Sequence, residues 1–86
     1  MSTYAERKRE AERIGARGKE IYERRIRQLV EPEHNGEFLV VDVSTGDYFL
    51  AQTDIEALDE AEAANPSGSF HMIRVGHRTA YRVSSV

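Results

Sequence analysis

Glu31, Glu33 and His34 fall within four positions of one another around Pro32, and together could offer two carboxylates and an imidazole to a divalent cation. Structural metal sites normally need four convergent ligands, so the trio reads better as a solvated turn after a helix stop. His71 and His77 stand six residues apart with Gly76 between them and no acidic residue close by in sequence. They suit a surface or interface role; an enzyme built on either would need a pocket completed by oligomerisation. Asp42 is separated from Thr45-Gly46 by two residues, which rules out a compact Asp-Thr-Gly catalytic loop and leaves Thr45-Gly46 as a hairpin tip. No Gly-x-Ser-x-Gly elbow, phosphate loop or dinucleotide fingerprint is present. The expectation is a protein that is not an enzyme, with no catalytic residue, cofactor or metal.

The chemistry that remains is recognition. Residues 1–30 carry nine Lys/Arg against five Asp/Glu (+4), and residues 31–86 carry three against ten (−7), the split behind a net charge of −3. A basic arm on an acidic body suggests docking, onto another protein or another copy. Ile14, Ile21, Tyr22, Ile26 and Leu29 recur at intervals suited to one helical face, extended by Ala11 and Gly18, and are the candidates for burial by a partner. Arg13, Arg17 and Arg24 would supply charge complementarity. With Arg27, these arginines could instead track phosphates, which makes a small nucleic-acid-binding regulator the alternative. Five interleaved glutamates and the acidic whole disfavour it.

These residues need elements to hold them. Residues 3–30 are rich in helix formers and lack proline; Glu20–Arg24 and Glu23–Arg27 have the favourable i,i+4 orientation. Gly15 and Gly18 weaken the middle and predict a kink, or fraying before residue 17. The expected domain plan is a charged helical extension over 1–17 and one small domain over 18–86. The C-terminal half of the helix would pack on its own sheet while the N-terminal half projects. Pro32 ends the helix, and residues 33–36 turn the chain.

Alternation then predicts strands at 37–43 and 48–53, with Val43 opposite Tyr48 and Val41 opposite Leu50. One face holds Leu39, Val41, Val43, Tyr48 and Leu50; the other holds Phe38, Val40, Asp42, Phe49 and Ala51. Both are apolar enough to need a cover. Thr53-Asp54-Ile55-Glu56 reads as a capping box for a helix over 54–64, buried through Ile55, Leu58, Ala61 and Ala64. Residues 69–75 and 79–84 read as a second hairpin. The fold class is therefore α+β: an N-terminal amphipathic helix followed by a ββαββ, largely antiparallel sheet.

Eighty-six residues bury a modest core, and the absence of cysteine leaves association as the remaining route to added stability. No stretch reads as membrane-spanning or as a secretory leader, and the expected location is cytoplasmic.

From Gly18 onward, about four-fifths of the chain, the sequence resembles a family of short, uncharacterised bacterial proteins. The matching text is Gly18-Lys19-Glu20-Ile21-Tyr22-Glu23, Ile26-Arg27 and Val30-Glu31-Pro32-Glu33-His34-Asn35-Gly36. It continues in Phe38-Leu39-Val40-Val41-Asp42-Val43, Thr45-Gly46-Asp47-Tyr48, Arg74-Val75-Gly76 and Ala80-Tyr81-Arg82. His77-Arg78 stands where an aromatic and a proline are usual, and residues 1–17 look like an added extension. Similar proteins are often encoded in two-gene units reminiscent of toxin–antitoxin pairs, sometimes beside a small retropepsin-like protease. The resemblance implies no defined activity. It does imply a co-encoded protein partner, so the function expected is a non-catalytic interaction module, antitoxin-like or adaptor-like, that binds that protein through its N-terminal helix. The small core adds self-association as a companion or substitute, in a homo-oligomer or hetero-complex.

Overall fold

Thr3 starts the first helix with a complete capping box: the Glu6 amide donates to Thr3 Oγ1 at 3.1 Å, and the Thr3 amide donates to Glu6 Oε1 at 2.7 Å. The computed structural model describes residues 3–77. Helix α1 (Tyr4–Ile21) runs unbroken through both glycines, into a π-helical turn (Tyr22–Ile26) and on through α2 (Arg27–Val30). The expected kink or fraying at Gly15 and Gly18 is thus replaced by a widened turn further on, where the Arg27 amide reaches back five residues to the Tyr22 carbonyl.

That widened turn has a packing reason. Gly18, Tyr22, Ile26 and Val30 are buried at a strict four-residue spacing. With 3.6 residues per turn, such a series drifts around an α-helix by about 40° per step. A wider turn absorbs the drift and keeps Tyr22, Ile26 and Val30 on the sheet. It also decides which of two neighbours meets the sheet: Val30 is buried, and Leu29, assigned to partner binding, is 60% exposed.

The sheet has the order β2-β1-β3, from β1 (Phe38–Asp42), β2 (Tyr48–Ala51) and β3 (Phe70–Arg74), with both neighbours antiparallel to β1. The hairpin register differs from expectation by two residues: Val41 faces Tyr48 and Leu39 faces Leu50. Asp42 causes the shift. Its Oδ1 accepts from the Ser44 amide and its carbonyl from the Gly46 amide at 2.7 Å, so Val43–Asp47 close as a loop, with Gly46 at φ +87°. An even shift preserves the faces, so both apolar faces are as read from the alternation.

Each face has its cover. Leu39, Val41, Ile73 and Val75 pack under Ile21, Tyr22, Ile26 and Val30, with Val43 and Leu50 at the margin. Val40 packs under Ala57 and Ala61 of α3 (Asp54–Ala64), ringed by Phe38, Phe49, Leu58, Phe70 and Met72. The expected stripe on α3 is rotated: Ala57, Leu58 and Ala61 face the sheet, while Ala64 is exposed and Ile55 is 70% exposed. Two alanines one turn apart let the helix axis come close over Val40, which the larger Ile55 would prevent. Thr53 Oγ1 accepts from the Glu56 amide at 3.1 Å to start this helix.

The described residues therefore give a helix–sheet–helix α+β fold with a ββαβ order and three strands, in place of the ββαββ order with four. The expected strand 79–84 lies outside the described residues.

Candidate functional site

The N-terminal helix is divided by burial. From Tyr4 to Arg13 every residue is exposed; Ile14 and Gly15 are half-buried, and Gly18 is the first to be enclosed. Of the residues assigned to partner binding, Ile21, Tyr22 and Ile26 are spent on the chain's own core. Ile14 is half-buried, and Leu29 is exposed on α2. The apolar line of Gly18 and Ile21 continues outward through Ile14, Ala11 and Tyr4, which is 75% exposed.

The charges beside this line are locally matched. Arg13 pairs with Glu10 at 2.6 Å, Arg17 with Glu20 at 2.8 Å and Arg24 with the same Glu20 at 3.7 Å. Arg27 bridges Glu23 at 3.0 Å and Glu31 at 3.4 Å. Such exposed pairs contribute little to stability and exchange easily for pairs with a partner. Arg7, Lys8 and Arg9 form no ion pair among the described residues. α3 presents Asp54, Glu56, Asp59, Glu60 and Glu62 to solvent with no basic residue among them.

A polar cluster closes the far end of the helix. The buried Tyr22 hydroxyl donates to Glu31 Oε2 at 2.6 Å, while Arg27 Nε donates to Glu31 Oε1. Burial first, and then the Glu31 carboxylate, push the Tyr22 phenol well above its ordinary value, against a smaller opposing effect of the Gly76 amide. Removing the hydroxyl takes a charge-assisted bond from a carboxylate that is itself mostly enclosed. Tyr22→Phe should cost about 1.5–3 kcal/mol in urea unfolding. Because the folded phenol holds its proton more tightly than the unfolded one, this stabilisation is complete below about pH 10 and is lost as pH rises beyond it. The alkaline decline should be shallower in the variant.

The Glu31, Glu33 and His34 trio does not converge. His34 Nδ1 pairs with Glu37 Oε2 at 2.9 Å, Glu31 faces Tyr22, and Glu33 is exposed. Among the described residues no three His, Cys, Asp or Glu are grouped as a metal site. His71 lies half-buried beneath α1, and His77 is exposed past the turn that follows β3, so the two do not form one site.

Two features escaped the sequence reading. Asp42, assigned to an apolar face, is a buried carboxylate that accepts from the Ser44 amide and hydroxyl, from Asn65 Nδ2 at 2.8 Å and from the Ser69 amide at 3.2 Å. A lone acid in the run Phe38–Val43 was its signal. The other is the contact between His71 and the glycines of α1, which only the helix–sheet crossing creates. No helix among the described residues is long and apolar enough to cross a membrane. Comparison with family models, with curated proteins and with solved structures finds no match to this chain.

Proposed function

We propose that this chain is a non-catalytic interaction module, antitoxin-like or adaptor-like, that binds a co-encoded protein through its N-terminal helix. The observation that carries the reading is a properly capped helix whose first ten residues, Tyr4–Arg13, bury nothing of their own. Short helices without a packed face are marginal in water, so a contact that covers this one adds directly to its stability. Tyr4, Ala11 and Ile14 supply an apolar line continuous with the buried face, and Arg13 and Arg17 flank it with charges that a partner can recruit. Leu29 and Arg24 lie further along the same helix and extend the contact if the partner is long.

Tyr4→Ala combined with Ala11→Glu alters only exposed positions, so the thermal midpoint should hold. Affinity for the product of the neighbouring gene, measured by calorimetry on the full chain, should fall by about tenfold or more. It should change little between low and high salt. Unchanged affinity in the variant would remove the arm from the interface. An affinity that instead collapses with salt, shared by a nucleic-acid duplex, would favour the regulator reading; the glutamate partners of Arg13, Arg17 and Arg24 argue against that outcome.

A further inference from the structure

Where α1 crosses β3, its backbone lies directly on His71. A Cβ at Gly18 would stand 2.6 Å from His71 Cβ and 2.7 Å from Cγ and Cδ2, and a Cβ at Gly15 would be 3.7 Å from Cε1 and 3.8 Å from Nδ1. The imidazole thus runs along the underside of the helix, filling the seat left by two missing side chains. Its Nε2 is shut off from water and has no hydrogen-bond partner among the described residues. Imidazolium donates from both nitrogens, so a protonated ring would point a charged donor at nothing. Among the described residues, the groups around the seat offer no compensation. Lys19 bears on it from α1 with the same sign, β1 presents the apolar Val41 in register, and Ile73 follows on the same face of β3. Burial, and then Lys19, already hold the ring below its ordinary pKa.

We propose that His71 is a proton-sensitive latch for the N-terminal arm: the neutral ring seats the segment from Ile14 to Gly18 on β3, and the protonated ring releases it. Ile21, Tyr22, Ile26 and Val30 anchor the rest of the helix in both states. The released imidazole is hydrated and titrates near its ordinary value of about 6.5. The seated form binds fewer protons, so seating is complete above that value. It weakens as pH falls through it, by up to about tenfold per pH unit, until the seated pKa is passed. The latch concerns the arm's own seat and does not depend on a partner. Where the arm does meet one, the same proton governs how the arm is presented.

Amide hydrogen exchange on the full chain between pH 8 and pH 5, corrected for intrinsic rates, tests it. Protection of residues 11–18 should drop by up to about tenfold per unit below pH ~6.5, while the amides of β1 keep theirs. His71→Leu should abolish the dependence, and the double variant His34→Gln with His77→Gln should retain it. Protection that ignores pH, or that declines equally in His71→Leu, overturns the proposal. Should His71→Leu fail to fold, the wild-type ring titration by NMR decides. A midpoint below 6.5 shared with the amides of 11–18 supports the latch, and any other result sinks it.

Discussion

Replacing Gly18 by alanine should lower the thermal midpoint, and replacing Gly15, three residues earlier on the same helix, should raise it. Both changes gain about 1 kcal/mol of helix propensity, because glycine is the poorest ordinary helix former. At Gly15 that gain is kept, since the added methyl meets the His71 ring at an ordinary van der Waals distance of 3.7 Å. At Gly18 the methyl would stand 2.6 Å from His71 Cβ, an atom one bond from the β3 backbone. No rotamer change relieves that clash; the helix or the strand has to move. Overpacking of this kind costs about 1–3 kcal/mol, and more where backbone must shift. The net loss at Gly18 should be about 1–2 kcal/mol, and each kcal/mol moves the midpoint of a domain this size by about 4–8 °C. Equal shifts of one sign at both positions would mean that the helix does not lie on β3 at Gly18.

The same pair of residues shows what could be read in advance. Composition identified both glycines as weak points of one helix, but propensity has no knowledge of what lies beneath the chain. Only the crossing with β3 makes Gly18 a requirement and leaves Gly15 replaceable. Alternation along β1 was fully legible, because a period of two is set by the strand itself and survives a register shift of two. The register was not legible: it depended on the Asp42 side chain capturing the Ser44 amide, a contact between a strand end and its loop. That Val30 is the residue of this stretch that meets the sheet was hidden for a similar reason. A 3.6-residue period cannot anticipate a π turn, which exists here to keep Tyr22, Ile26 and Val30 on the sheet. The i,i+4 pairs Glu20–Arg24 and Glu23–Arg27 and the Thr53 cap were legible because they are made within one or two turns.

The candidate surface divides along the same line. That the arm would project in its first half and pack in its second followed from where the chain's apolar residues run out. That Ile21, Tyr22 and Ile26 are wholly enclosed did not, since covering a sheet face and offering residues to a partner look alike in a helical stripe. What remains outside is narrower than the stripe: Tyr4 and Ala11, with Ile14 half-buried and a separate exposed leucine at 29.

Removing the Asp42 carboxylate should be the most damaging single change away from the aliphatic core. Its oxygens join four parts of the chain: the end of β1, the hairpin loop at Ser44, the C-cap of α3 at Asn65 and the approach to β3 at Ser69. Gly68 is packed so closely on Oδ2 that a Cβ there would stand 2.6 Å away, and Asn65 reaches Asp47 as well, at 3.2 Å. Asp42→Ala leaves several buried donors without an acceptor, a loss of about 3–5 kcal/mol. A domain of this length holds about 4–13 kcal/mol in total, so the variant should lose between about a quarter and all of its stability. Asp42→Asn retains the shape and one acceptor and should cost about 1–3 kcal/mol. In combination with Asn65→Ala its cost should be less than additive, because the two changes break a shared bond. The pH dependence follows from the same contacts. Burial alone would raise the carboxyl's pKa, but the bonds from Ser44, Asn65 and Ser69 outweigh it and hold the group below its ordinary value. The stabilisation is therefore complete above about pH 4 and is lost as pH falls below it. Urea titrations at pH 7 and pH 3 should show a wild-type acid loss that Asp42→Asn largely lacks. An identical acid loss in both proteins would assign the sensitivity to other carboxylates and leave Asp42 as a neutral spacer between the loop and α3.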